Sequence, residues 1–420
     1  MLWSSLENKT VAVWGQGKEG TAAINAIKAH CRQVNLLLVN EDNVNDIYQC
    51  DIILKSPGVS LYRPEIIAAR EKGIVITSAT NLFFANKPQS AKVVAITGTK
   101  GKSTTSSLLC HTLQQLGIKA ELGGNIGLPL VDLVDTKAEV VVAELSSYQC
   151  ADCQGTADIG VLLNLYPEHL QWHGSHLRYW QDKLNMINHA RRRLLNARDE
   201  RTLTLAEKEG AFWFNEENSV HLRDGYFYDG KKQLFSCSVL PLLGEHNAQN
   251  ACAVLSVIKL MGLDLLSCGQ AFATFQALPH RLQIVAERQG VTFVDDSIST
   301  TPETAVAAIK ALDKGQIMTL IAGGYDRGQD YHELGEFVKS LNGRVRLVVL
   351  PDTGARLAQC AQGITIRLVD NMQQAVVAAV ELTPQGGTVI LSPAAPSYNC
   401  YKNFEERGKD FSNCIKNLAK

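Results

Sequence analysis

The sequence predicts an α/β chain of three domains, each a largely parallel sheet covered by helices. Two observations carry the class. Short apolar runs (TVAVWG, VNLLLVN, CDIILKS, GIVIT, KVVAITG, EVVVAE, IGVLLNL) alternate with helical patterns up to residue 165, as expected of parallel strands buried on both faces and joined by crossovers. The alternation returns after residue 281 in VTFVDDS, IMTLIAGG, VRLVVL and TVILSP. Size agrees, because 420 residues exceed the roughly 250–300 at which a single core stops growing.

The first four runs form a unit over residues 1–88, closing at Lys87 and Pro88. Directly after TVAVWG comes GQGKEG, with Gly15, Gly17 and Gly20 in the G-x-G-x-x-G spacing that brings backbone close to a diphosphate. That makes the first domain Rossmann-like. An NAD-dependent oxidoreductase would also want an acid about 20 residues on, where Asn40, Glu41 and Asp42 stand. The central domain spans 89–280, and within it residues 200–243, including RDGYFYDGKKQL, read as a small antiparallel addition. Helical periodicity resumes at HNAQNACAVLSVIKLMG, and 281–420 reads as a second Rossmann-like αβ domain.

Composition narrows the function classes. With 45% hydrophobic and 20% charged residues and a formal charge of -1, the chain has no electrostatic footprint for nucleic acid. Any anion must be held by a local site. No basic start leads into an apolar leader, and no run reaches the roughly 18 apolar residues of a membrane span, so a cytoplasmic protein without membrane insertion is expected. Eleven cysteines scattered from Cys31 to Cys414 fit reduced thiols. The one tight pair, Cys150 and Cys153 in CADC, has neither a second pair nor a thioredoxin-like context.

The densest chemistry lies in VVAITGTKGKSTTSSLL, residues 93–109. A strand runs through Gly98, Thr99, Lys100 and Gly101 into a helix starting at Lys102, Ser103 and Thr104. Backbone N–H groups and a helix N-terminus then converge on one anion. Lys102 would reach the β and γ phosphates, and Ser103 or Thr104 would meet Mg²⁺. The first glycine of the usual G-x-x-x-x-G-K-[ST] pattern is replaced by Ile96.

EVVVAELSSYQ places Glu144 at the carboxyl end of a buried strand, where ligands bind in open α/β sheets, and a carboxylate there suits Mg²⁺. A helix-capping glutamate is the plainer alternative. In NLYPEHLQWHGSHLRYWQDKLNMI, His169, His173 and His176 lack the cysteine and carboxylate partners of usual zinc spacings. His169 follows a strand end and is the histidine best placed for a site. By periodicity alone, Lys183 on the next helix is a solvated lysine.

TGTKGKST, ELSSYQ, the PEH-to-Lys183 segment, GEHNAQN, LPHRLQ, DDS and LSPAAPS, in that order, resemble the Mur ligase family of peptidoglycan synthesis nearly end to end. The resemblance implies ATP-dependent addition of glutamate to UDP-N-acetylmuramoyl-L-alanine through an acyl phosphate. The first domain would hold the UDP group with Gly15, Gly17, Lys18 and Glu19 and with Ser56, Pro57 and Gly58, and Asn125 would contact the substrate. Gly98 to Thr104 would bind ATP, with Asn247 and Asn250 on the adenine side, Arg281 on the phosphates and Asp296 on the ribose. The implied catalytic set is Lys102, Glu144, His169 and Lys183. Two Mg²⁺ ions are implied, with Glu144 on one and His169 on the second. Lys183 would be carbamylated, and Ser103 and Thr104 would add metal contacts. Arg327, Ser397 and Phe404 match positions around the glutamate. A monomer is implied.

Three residues depart from the family pattern. Lys100 stands where asparagine is usual, Ile298 in DDSISTTPE where a lysine is usual in D-glutamate-adding enzymes, and Arg327 in GGYDRG where they have another lysine. Isoleucine for lysine removes a cation, and arginine for lysine turns a point charge into a planar fork, so neither change is neutral at a carboxylate site. These segments resemble a branch that adds L-glutamate, with D-glutamate the alternative. A folylpoly-γ-glutamate synthetase would share the phosphate loop but lack a UDP-binding domain before it.

Overall fold

The structure is a computed structural model and describes residues 1–418 apart from 167, 169, 243, 277 and 278, and of Leu170 the backbone alone. The chain divides into two units, Met1–Pro241 with His246–Phe275, and Leu242–Glu245 with Gln276–Lys420.

Two sheets lie in the first unit. The N-terminal one has four parallel strands in the order Val34–Val39, Lys9–Trp14, Ile52–Lys55, Val75–Thr77. The central one has nine, and its parallel part runs Phe212–Phe214, Arg192–Asn196, Ile159–Leu162, Lys92–Thr97, Val140–Glu144, Ala120–Gly124. Three further strands (Val220–Arg223, Tyr226–Asp229, Lys232–Ser236) extend its far edge, with antiparallel pairing along the last two. This is the antiparallel addition expected from the turn-rich segment, fused to the main sheet.

The middle strands of the central sheet are buried because their sequences are largely apolar: every residue of Val140–Glu144 and of Ile159–Leu162 is buried. Each Val or Leu so buried contributes about 1.5–3 kcal/mol. Val11, Val13, Ala23 and Ile27 around the N-terminal sheet pack in one cluster with Val93, Ala95 and Val141 of the central sheet. The two sheets therefore share a core.

The second unit has a six-stranded sheet in the order Gln283–Arg288, Val291–Asp295, Thr388–Leu391, Met318–Gly324, Val345–Asp352, Ile366–Leu368. Its first pair is antiparallel and the rest are parallel. Separate apolar clusters cover its two faces, one around Leu320 and Leu347, the other around Ile321 and Phe411. No described helix is long and apolar enough to cross a membrane.

Candidate active site

The strand Lys92–Thr97 ends in a turn whose geometry only glycine tolerates. Gly98 has φ +153 and Gly101 φ +83. A Cβ on Gly98 would lie 2.9 Å from Leu163 Cβ, and one on Gly101 2.6 Å from Asn250 Nδ2. The turn is pinned from the next strand end: Asn164 Oδ1 accepts from Lys100 N (2.8 Å), and Asn164 Nδ2 donates to Lys100 O (3.1 Å). The Thr99 hydroxyl lies 3.0 Å from the Tyr179 hydroxyl and accepts from Tyr166 N at 2.9 Å. Helix Lys102–Gln115 begins at Gly101 with no side-chain cap. An N-terminus without a side-chain cap leaves its first N–H groups suited to an anion.

Lys102 Nζ donates to the carbonyls of Gly98 (3.0 Å) and Thr99 (2.9 Å). Lys183, expected from periodicity to be solvated, is 1% exposed, and its Nζ donates to the same Gly98 carbonyl at 2.8 Å. Helix His176–Asn188 turns Tyr179, Asp182, Lys183 and Met186 inward, the i, i+3, i+4 face of a helix packed on a sheet. Burial, and then the Lys102 ammonium, push the Lys183 pKa down to about 7.

Glu144 is fully buried at its strand end. Its Oε1 accepts from Asn125 Nδ2 at 2.8 Å, while Oε2 has no hydrogen-bond partner among the described residues, and neither has the buried Thr104 Oγ1. The capping alternative for Glu144 fails, because Ser146 caps the following helix in a capping box with Gln149. Buried oxygens left without partners are costly. One carboxylate oxygen and one hydroxyl fit Mg²⁺, which completes its shell with waters and phosphate oxygens. Among the described residues no three His, Cys, Asp or Glu side chains gather as a metal site. His169, expected as a ligand, lies outside the described residues. His173 is committed elsewhere: it is fully buried, with Nδ1 2.5 Å from Asp182 Oδ2 and Nε2 3.0 Å from Ser147 Oγ.

The residues expected at the UDP group gather at the N-terminal sheet. Gly15 has φ +91, and its carbonyl accepts from Ser56 Oγ at 2.5 Å. A Cβ on Gly20 would lie 1.9 Å from that carbonyl oxygen. Added Cβ atoms at Gly17 and Gly58 would meet nothing within 4 Å, so those positions border open space. Two side chains of the turn are engaged within the protein. Lys18 Nζ donates to Gly127 O at 2.6 Å, and Glu19 Oε1 accepts from Gln149 Nε2 at 2.5 Å. Burial raises the Glu19 pKa to about 7. The Pro57 carbonyl accepts from Trp172 Nε1 at 3.0 Å. Asn250 lies against Gly101, and Asn247 is buried on the same helix, Glu245–Leu260.

In the second unit, Arg281 sits between His280 (φ +63) and Leu282 (φ +45), a strained backbone of the kind found at functional sites. Its Nε is buried with no hydrogen-bond partner among the described residues. Asp296 accepts from Ser392 Oγ at 2.7 Å and Leu282 N at 3.2 Å, and burial raises its pKa to about 6. The Arg327 guanidinium carbon lies 5.4 Å from the centroid of the Tyr398 ring. Ser397 is buried, and the Phe404 ring stands edge-on to His280.

Residues 96–258 match the Mur ligase middle domain and residues 280–395 the Mur ligase glutamate ligase domain. The chain belongs to the Mur ligase family. A UDP-N-acetylmuramoyl-L-alanine--L-glutamate ligase of a Micromonospora species is 36% identical over 100% of this chain and 99% of its own length. A protein of the same name from Xanthomonas axonopodis pv. citri is 36% identical over 98% of this chain and 96% of its own. The MurF ligase of Thermotoga maritima in complex with ADP has the same fold, with TM-score 0.61, 18% identity, and 99% and 97% of the two chains covered.

Within this Mur ligase, two contributors to the site carried no readable sequence signal. Asn164 and Tyr179 hold the phosphate turn through side-chain hydrogen bonds, whereas Asn125, expected at the substrate, donates to Glu144. Asn164 ends an apolar run and Tyr179 looks like one more aromatic on an amphipathic helix; only the adjacency of strand ends reveals them. The structure also accounts for Lys100, which pairs with Glu168.

Proposed function

We propose that the chain is an ATP-driven amide ligase that adds L-glutamate to UDP-N-acetylmuramoyl-L-alanine in peptidoglycan precursor synthesis. One observation carries the site's part of this proposal. Lys102 of the phosphate loop and the buried Lys183 meet on the Gly98 carbonyl, beside an anion-binding helix N-terminus. The substrate class and the L enantiomer are supported by the names of full-length relatives at 36% identity. ADP in a protein of the same fold supports nucleotide use.

In the proposed reaction a carboxylate oxygen of the L-alanyl group attacks the γ-phosphorus of ATP, and the bond to ADP breaks, leaving an acyl phosphate. The glutamate amine then attacks the acyl carbon and loses a proton. The C–O bond to phosphate breaks and the amide remains. Lys102 and the N-terminus of Lys102–Gln115 stabilise charge on the transferring phosphoryl oxygens, where most catalytic help to such transfers lies. In the second unit Arg281 serves the phosphates and Asp296 the ribose; in the first, Asn247 and Asn250 serve the adenine side.

Mg²⁺ would be held by Thr104, Ser103 and Glu144, with His169 and a carbamylated Lys183 at a second ion, and when bound would neutralise phosphate charge. Carbamylation needs a neutral amine whose lone pair attacks CO₂ with loss of a proton. A pKa near 7 leaves such an amine abundant at physiological pH. Gly15, Gly17, Ser56, Pro57, Gly58 and Asn125 face the UDP substrate, and Arg327, Ser397 and Phe404 the glutamate. The enzyme acts as a cytoplasmic monomer.

Purified chain incubated with UDP-N-acetylmuramoyl-L-alanine, ATP, Mg²⁺ and each glutamate enantiomer separately tests the proposal. Phosphate release and a product of the expected mass with L-glutamate are the expected result. Turnover with D-glutamate alone would overturn the enantiomer, and no turnover with either would overturn the ligase.

A further inference from the structure

Arg407 is among the most deeply buried charges of the second unit, at 1% exposure. Burial pushes its pKa down to about 10, yet no carboxylate among the described residues lies within ion-pair distance of it. Its guanidinium is spent on neutral acceptors of two loops instead. Nε donates to Ser297 Oγ (3.1 Å) and Nη2 to Ser297 O (2.9 Å), while Nη1 donates to Ala395 O (3.0 Å). A buried cation held this way is expensive, and a leucine or methionine would cost less.

What the three bonds join is specific. Ser297 follows Asp296 on the loop proposed to meet the ribose. Ala395 lies two residues before Ser397 on the loop proposed to meet glutamate. Arg407 itself lies one helical turn after Phe404, whose carbonyl accepts from Ser297 Oγ at 2.8 Å. The helix comes this close because residue 408 is glycine: a Cβ there would lie 2.1 Å from His280 Nδ1. Ala394 holds φ +55, a conformation an alanine keeps only under outside constraint.

We infer that Arg407 is a positioning residue that sets the nucleotide-side loop at Ser297 and the amino-acid-side loop at Ala395 in a fixed relation, so that the glutamate and ATP sites of this unit are built together. The inference rests on the proposed ligase activity. Only the planar fork spans both loops; a lysine ammonium keeps the charge but reaches one of them.

Arg407→Lys tests it, with KM measured for all three substrates alongside thermal midpoint. The expected result is a rise of roughly tenfold in KM for glutamate and a parallel rise for ATP, with KM for the UDP substrate unchanged, as loss of ground-state positioning predicts. Ser297→Ala removes one acceptor and should move glutamate and ATP KM in the same direction by about threefold; it carries the test if Arg407→Lys does not fold. A merely structural arginine would lower the thermal midpoint and active fraction while leaving every KM at the wild-type value, and that outcome overturns the inference. Wild-type enzyme inactive with both enantiomers would overturn the ligase and the inference with it, whereas active wild type with flat KM values in the variants would overturn the inference alone.

Discussion

Lys102 and Lys183, 81 residues apart in the chain, donate to one carbonyl oxygen, that of Gly98, at 3.0 and 2.8 Å. Two ammonium groups on one acceptor repel each other, and the deeper one yields. Lys183 is fully buried, so its charge is the one that burial and its neighbour suppress. Lys102 is only partly buried and stands at the phosphate turn itself. Burial thus distinguishes two identical side chains that share one carbonyl.

That separation makes stability depend on pH in a definite direction. Unfolded lysine titrates near about 10.4, whereas folded Lys183 titrates at about 7. Between those values the unfolded state holds the extra proton, so stability contributed by this group rises with pH across that window and is lowest below it. Lys183→Met removes the titration. In CO₂-free buffer the midpoint advantage of the variant over wild type should be largest near about pH 6 and should shrink steadily towards about pH 9. Parallel melting curves across that range would contradict the assignment.

Glu144→Gln separates charge from shape. Asn125 can still donate to the side-chain oxygen that replaces Oε1, and the buried Oε2 without a partner becomes a neutral amide. The variant should therefore melt at or above the wild-type midpoint, because an isolated buried carboxylate oxygen is costly. Turnover should fall by about 10²–10³, the scale for losing one electrostatic stabiliser, and Mg²⁺ titration of nucleotide binding should shift to higher concentration. A drop in midpoint with activity retained would place Glu144 in the framework instead.

Much of this was legible before the structure. The VVVA of EVVVAE and the largely apolar IMTLIAGG have the nearly continuous hydrophobicity that strands buried on both faces need. Strand Ala120–Gly124 was not legible, because AELGG pairs two glycines with a glutamate; Gly124 is required there since a Cβ would lie 2.2 Å from Glu144 O. Strand Gln283–Arg288 is an antiparallel edge with no residue fully buried and only Ile284, Val285 and Ala286 apolar, a pattern that short loops share. At the site, Glu144 and the glycine turn announce themselves through strand-end position. Lys183 does not, because helical periodicity assigns faces and cannot say which face meets a phosphate turn from a distant segment.

Lys100 is tolerated because Glu168 answers its charge and because the backbone of the turn is held independently by Asn164. Both side chains are partly exposed, so the pair contributes no more than about 1 kcal/mol. Lys100→Asn should accordingly leave the thermal midpoint within about 4 °C of wild type. Glu168→Gln leaves the ammonium beside the phosphate turn without its carboxylate. ADP should then bind more tightly at low ionic strength, and the gain should vanish as salt screens it. Calorimetric titration at two salt concentrations reads both; tighter binding that is indifferent to salt would argue against the electrostatic account.

Arg327 departs from the lysine of D-glutamate-adding enzymes, and its surroundings suit an arginine. Its guanidinium lies over the exposed Tyr398 ring, and the Tyr325 ring stands edge-on at 6.5 Å from Tyr398. The loop beneath is braced by Arg356, whose Nη1 donates to Asp326 at 2.7 Å. A planar cation can stack on an aromatic face while its edge still meets a carboxylate bidentately; an ammonium cannot do both. Tyr398→Ala should raise KM for L-glutamate several-fold, consistent with losing about 0.5–1 kcal/mol of exposed cation–π contact. Tyr398→Phe keeps the ring face and should restore the wild-type KM. Arg327→Lys should cost more than Tyr398→Ala, because it removes both the stack and the fork. Equal effects of Tyr398→Ala and Tyr398→Phe would point to the hydroxyl, and the stacking account would then be wrong.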